Sequence, residues 1–286
     1  MISFKKILIP FDDRQVSKGA LEYAAMFASS TGASITALFL ANPEDYKSKE
    51  EFDAELKKMV EQKMKPMLQE VRLTYPKLSK VDLQVRGLTQ PLYRHILDFA
   101  KNDQIDFIVM RSHGQTLAED WEDKLNDTNA YKIVLESKCP VFTFTSIPKA
   151  PKINSILLPL DLTNGSRYKV PLVIEIAKQF GSTIKLLSSS ENLDEHYDLQ
   201  QLMSETFNDL KKKELNVTAG PIEKLPIADA IVRRTAQGDV DLVAIMSRPG
   251  FRWSELWVSP KAKQILAQAK VPVLNIRSSK KLTIDY

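Results

Sequence analysis

Apolar positions along this chain fall in short blocks that alternate between two periods. Lys5–Phe11 carries the continuous β-branched run Ile7-Leu8-Ile9, which predicts a strand buried on both faces. Leu21, Ala24, Ala25 and Ala28 then share one face at helical spacing, predicting a helix over Ser17–Ser30 that stops at Gly32. Ser34–Ala41 reads as strand. Lys47–Tyr75 is long, charged and amphipathic, and Pro66 should kink or split it. Val81–Arg86 predicts a short strand, Pro91–Asn102 a helix with proline near its first turn, and Asp106–Met110 a buried strand. A helix over Asn126–Ser137 and a strand over Val141–Thr145 complete the first half. The second half repeats the order. Its strands fall near Ile156–Leu160, Thr183–Leu187, Asn216–Ala219, Leu242–Met246 and Val273–Ile276, and its helices near Ser166–Phe180, Asp194–Lys213, Pro226–Ala236 and Pro260–Ala269. Strands that alternate with helices need crossover connections, so each half predicts a parallel sheet covered on both faces.

The repetition extends to the letters. Phe4-Lys5-Lys6-Ile7-Leu8-Ile9-Pro10-Phe11-Asp12 matches Ile153-Asn154-Ser155-Ile156-Leu157-Leu158-Pro159-Leu160-Asp161, and the two aspartates lie 161 − 12 = 149 residues apart. Ile105-Asp106-Phe107 matches Val240-Asp241-Leu242, and Lys138-Cys139-Pro140-Val141 matches Lys270-Val271-Pro272-Val273. Three matched features in one order, at offsets of 149, 135 and 132 residues, mean two copies of one domain. The copies divide as 1–147 and 148–286, with the proline- and lysine-rich stretch 147–152 as linker. The tail from Arg277 shows no pattern and reads as a frayed end.

Composition narrows the function classes. The 286 residues allow two domains, each with its own core. A net charge of +4 from 40 basic and 36 acidic residues is a small excess, and its longest basic run, Lys211-Lys212-Lys213, reads as solvated helix surface. Nucleic acid is therefore not an expected partner. No stretch is long and apolar enough to predict a membrane helix. One cysteine, Cys139, allows no intrachain disulfide, and no signal-like apolar segment opens the chain, so the expected location is the cytoplasm. Cys139 reads as a small buried residue at the start of the last strand of its copy. His95, His113 and His196 are scattered, with no cysteine or carboxylate at metal-ligand spacing, so no metal site is expected.

Lys6-Ile7-Leu8-Ile9-Pro10-Phe11-Asp12, Leu21-Glu22-Tyr23-Ala24, Val109-Met110-Arg111-Ser112-His113-Gly114 and Cys139-Pro140-Val141, taken in order, resemble a universal stress protein domain. The whole chain resembles the tandem form. The resemblance implies two flavodoxin-like, doubly wound α/β domains with five parallel strands in the order 3-2-1-4-5. It also implies that the last strands, Val141–Thr145 and Val273–Ile276, pair between the copies across a pseudo-twofold axis. One chain would then mimic the dimer of a single-domain relative, and a homodimer of the whole chain stays compatible with that.

Members of the family either bind ATP or do not. In the binders a loop of the form G-x2-G-x9-G-[ST] follows strand 4, where bare N–H groups hold phosphate oxygens. The first copy has Arg111 in place of the first glycine, keeps Gly114, and then carries Glu119, Asp120, Glu122 and Asp123 with no glycine. Its closing pair is Asp127-Thr128, so only the hydroxyl survives. The second copy has Ser247 and Gly250, then Phe251, Trp253 and Trp257, and closes on Ser259-Pro260, where proline has neither an N–H nor a hydroxyl. Both loops read as degenerate, the second more completely.

The candidate cleft is therefore a vestigial one, with Pro10, Asp12, Arg111, His113, Gly114 and Thr128 in the first copy and Asp161 and Gly250 in the second. Asp12 and Asp161 also suit the simpler role of ordering the turn into the first helix. Trp121, Arg252, Trp253 and Trp257 suit either a loop packed over an emptied cleft or a partner-binding patch, since Trp and Arg are typical of interface hot spots. No residue is assigned catalysis and no cofactor is expected. The expected function is stress-response binding or regulation, toward a protein partner or small ligand, without tight ATP binding. Two alternatives stand: an ATP·Mg2+-binding regulator using Asp12, Gly114 and Thr128, and a weak hydrolase using His113.

Overall fold

The computed structural model describes residues 4–12, 18–78, 80–87, 91–112, 129–145, 151–163, 166–247 and 260–277. The chain divides into two compact units, residues 3–111 with 147–151 and residues 112–146 with 152–286. The last helix and strand of the first repeat therefore fold in the same unit as the second repeat.

In the first unit the order is β1 (Lys6–Asp12), α1 (Lys18–Thr31), β2 (Ser34–Ala41), α2 (Lys49–Met59), α3 (Lys65–Thr74), β3 (Val81–Gly87), α4 (Leu92–Asn102) and β4 (Phe107–Arg111). The strands lie β3-β2-β1-β4, all parallel. The apolar runs of β1 and β4 fill the centre, with Ile7, Leu8, Phe107 and Ile108 wholly buried. Phe4 stacks on Phe107 at 4.2 Å, and Phe27 of α1 meets the same ring edge-on at 4.9 Å. Pro66 splits its amphipathic stretch as expected. The chain widens into a π turn at Val60–Met64, where the Lys65 N–H reaches back to the Val60 carbonyl, and α3 restarts with Pro66 in its first turn. The wider turn relieves the clash that the proline ring would otherwise make with the carbonyl before it.

In the second unit the order is α5 (Asn129–Glu136), β5 (Val141–Phe144), β6 (Ser155–Leu160), a 3-10 turn (Ser166–Lys169), α6 (Val170–Phe180), β7 (Thr183–Ser188), α7 (His196–Lys212), β8 (Val217–Ala219), α8 (Ile227–Thr235), β9 (Leu242–Ser247), α9 (Pro260–Gln268) and β10 (Val273–Arg277). Its strands lie β5-β10-β9-β6-β7-β8. From β8 to β10 they run parallel in the order 3-2-1-4-5, the doubly wound arrangement expected of each copy. Only β5 runs against its neighbour, pairing Thr143 with Val273 and Val141 with Asn275.

The matched aspartates of the repeat explain themselves here. Asp106 accepts the backbone N–H groups of Lys5 at 2.8 Å and Lys6 at 3.2 Å. Asp241 accepts those of Asn154 at 2.9 Å and Ser155 at 3.0 Å. In each copy this aspartate fastens the start of the first strand to the loop before the fourth, which fixes the centre of the sheet.

Candidate functional site

The place to look on such a sheet is the carboxyl end, where strand order reverses. In the first unit that point lies between β1 and β4, whose pairing is limited to Ile7 with Phe107 and Leu8 with Ile108. In the second it lies between β6 and β9, paired only through Ile156 with Leu242 and Leu157 with Val243. Beyond those pairs β6 continues against β7 to Leu160, and β9 continues against β10 to Ser247. The two central strands stop pairing there, which is where a doubly wound sheet opens toward a ligand. Pro10 and Pro159 sit just past the last shared pair, where a missing N–H takes nothing from that ladder.

Of the residues singled out in the sequence, the structure places four at this end. Pro10 is half-buried in β1, and Asp12 closes β1 opposite Leu40. Arg111 is the half-buried last residue of β4. Asp161 follows β6 directly. Its carboxylate Oδ1 accepts the Thr163 backbone N–H at 3.0 Å and the Thr163 hydroxyl, while its own N–H donates to Ser166 Oγ at 2.9 Å. That is a side-chain turn, so Asp161 orders the bend into the 3-10 turn. The Asp12 side chain, and all of His113, Gly114, Trp121, Thr128, Gly250, Arg252, Trp253 and Trp257, lie outside the described residues.

Other chemistry-bearing side chains take structural partners. His196 meets the Ser190 carbonyl at 2.9 Å, from the first residue of α7. Cys139 is half-buried, not buried, and Ser137 Oγ donates to its carbonyl at 2.8 Å. It precedes β5 and so escapes the core. Among the described residues no cluster of three or more His, Cys, Asp or Glu is placed to hold a metal. No described helix is long and apolar enough to cross a membrane.

The two points differ in a way that sequence reading passes over. At the first, Lys18 opens α1 and is neutralised by Glu70 of α3, with Glu22 at 3.8 Å. At the second, Lys169 ends the 3-10 turn that packs on both β6 and β9. Lys169 is only 5% exposed, and it is the one charged side chain in the buried class among the described residues. Burial pushes its ammonium down to about 8, against the pull of the Asp161 carboxylate. One signal in the sequence could have found it. The repeat offset of 149 aligns Lys169 with Ala20, a wholly buried residue that fills the same helix start in the first copy.

Residues 3–144 match the profile of the Universal stress protein family, and the first half of the chain belongs to it. Across nearly its whole length the chain is similar in fold to a universal stress protein from Archaeoglobus fulgidus DSM 4304. That likeness has a TM-score of 0.73 at 18% identity, covering 97% of this chain and 98% of that one. A functionally unknown protein from Pseudomonas aeruginosa PAO1 is similar at a TM-score of 0.63 and 16% identity, covering 96% and 92% of the respective chains. The cytoplasmic domain of a prokaryotic cation chloride cotransporter is similar at 0.51 and 9% identity, with 95% of each chain covered. No curated protein sequence matches the chain significantly.

Proposed function

We propose that this tandem universal stress protein is a non-catalytic binding or regulatory protein of the cytoplasm in which neither copy, 1–147 or 148–286, holds ATP tightly. The observation that carries the reading is the start of α9. It begins at Pro260, so the helix that should offer an N–H and a hydroxyl to phosphate opens on a residue with neither. The first copy supports it through Arg111, at the end of β4, where the family pattern has its first glycine. The tryptophan-bearing loops, with Trp121, Arg252, Trp253 and Trp257, are the proposed partner surface.

The test is a thermal-shift titration with ATP and with ATP plus Mg2+, on protein first checked for co-purified nucleotide. A ligand that binds only the native state at 100-fold its Kd adds about 2.7 kcal/mol, a rise no melting curve would miss. The expected result is no shift at millimolar ATP and no bound nucleotide. A clear shift that Asp12→Ala removes would replace this reading with a nucleotide-binding regulator built on Asp12, Gly114 and Thr128. Turnover lost in His113→Ala would replace it with a hydrolase.

A further inference from the structure

We propose that α3 is a hinged arm latched onto α1 through a proton-sensitive contact at Glu22, and that the latch tightens when Glu22 takes up a proton. The device belongs to the first copy and has no counterpart in the second.

Three features of the first unit carry this. The first is a hinge. The wide π turn at Val60–Met64 separates α2 from α3, and turns of this kind mark places where a helix bends. The second is sparse anchorage. Of the ten residues of α3, Val71 alone is buried, so little apolar contact holds the arm in place. The third is the contact itself. Lys18 of α1 binds Glu70 of α3 across the joint, and Glu22, one turn further along α1, stands 3.8 Å from the same ammonium. Two carboxylates thus share one lysine. Oε2 of Glu22 is buried with no hydrogen-bond partner among the described residues, which is costly for a charged carboxylate. Burial holds the Glu22 carboxyl above its ordinary value of 4.5, Lys18 pulls it back, and Glu70 pushes it further up. Tyr75, directly after α3, senses the same charge, since burial and the Glu22 carboxylate both raise its phenol. Lys18, Glu70 and Tyr75 are the titratable groups that act on Glu22 or respond to it. Protonation removes the buried charge and leaves Lys18 to Glu70, the partner that belongs to the arm. The folded value is the higher one, so the native joint binds the extra proton and gains stability as pH falls toward 4.5.

The second copy supplies the contrast. The repeat offset of 149 aligns Lys18 with Arg167 and Glu22 with Pro171. Arg167 binds Glu205 of α7 at 2.5 Å, so a cross-helix ion pair is present, but the aligned position holds no acid to compete for it. α7 runs unbroken from His196 to Lys212 and buries Leu199, Met203, Thr206 and Leu210. It has the strap without the hinge or the sensor.

The experiment follows amide hydrogen exchange by mass spectrometry in the full-length chain at pH 7 and pH 5, with labelling times scaled for the chemical rate at each pH. Peptides from α3 report the arm, and peptides from α7 serve as the internal control. In the native chain α3 should gain protection relative to α7 at pH 5, by about threefold. Glu22→Gln, which keeps the size and removes the charge, should show the higher protection already at pH 7 and gain nothing further at pH 5. Glu70→Gln, which leaves Glu22 in place and takes away the arm's hold on Lys18, should exchange faster in α3 at both pH values. Circular dichroism first checks that both variants are folded. Protection of α3 that does not change with pH, a gain at pH 5 that survives in Glu22→Gln, or α3 exchange unmoved by Glu70→Gln overturns the latch.

Discussion

Lys169 is a single side chain whose burial has a pH-dependent consequence for stability. Its folded value of about 8 lies below the ordinary lysine value of 10.5. Below pH 8 it is charged in both states, and the folded state carries the whole penalty, about 3 kcal/mol. Between about pH 8 and 10.5 the unfolded chain binds more protons, so native stability rises with pH as the penalty fades. Lys169→Met should therefore be the more stable protein at pH 7, by up to about 3 kcal/mol, with its advantage shrinking by pH 10. Urea denaturation of both proteins at the two pH values checks this, and a pH-independent difference would show that burial of charge is not the cause. The aspartates predict the opposite sign. Asp241→Ala strips the acceptor from the N–H groups of Asn154 and Ser155 and from Ser155 Oγ, at 3.1 Å, so it should cost about 2–4 kcal/mol in the same assay. Asp106 and Asp241 were legible as repeated letters but their work was not. Their partners lie about a hundred residues away in sequence, and no local pattern announces a bond of that reach. Lys169 was hidden for a related reason, because helical spacing shows where a face is but not what packs on it.

At the level of elements, the apolar periods carried most of the fold. Buried parallel strands announce themselves as unbroken β-branched runs, and α1 as spaced alanines and aliphatics, so the boundaries of β1 and α1 lie within a residue or two of those expected. Differences arose where hydrogen bonding and not burial sets the boundary. The predicted helix over Ser166–Phe180 is a 3-10 turn followed by α6, because Asp161 and Ser166 fix the entry and Pro171 lies in the first turn of α6. That short turn carries Lys169, so the buried charge missed in the sequence belongs to the part of the element that periodicity blurs. The helix ends were easier. Gly32 and Gly181 stop α1 and α6 with φ of +76° and +66°, a conformation glycine alone adopts freely. A Cβ at Gly181 would meet no atom within 4 Å, so Gly181→Ala isolates backbone strain. It should lower stability by about 1 kcal/mol, which denaturant titration checks.

For the whole molecule, the repeat in the sequence and the compact units of the structure cut the chain at different places, and the difference has a physical source. β5 belongs to the first repeat, yet its ladder partner β10 comes from the second, and both lie in one unit. The joint is reinforced from the helix side. Asn275, 1% exposed, donates to the Val134 carbonyl at 3.1 Å, and Arg277 donates to the Glu136 carbonyl at 2.8 Å, so the last strand also ties down α5. A paired, buried strand removes an edge that would otherwise recruit another chain. Covalent continuity through the stretch 147–152 is then not what keeps the halves together. A protease site inserted there and cut in the folded protein should leave the two fragments eluting as one species on size exclusion, with the melting temperature little changed. Asn275→Pro removes a β5-facing ladder hydrogen bond from the middle of β10, opposite Val141, and should cost about 3 kcal/mol or more. In that background the cut fragments should separate. Fragments that part after cleavage of the unmutated chain would mean that the β5–β10 pair holds only while the linker does.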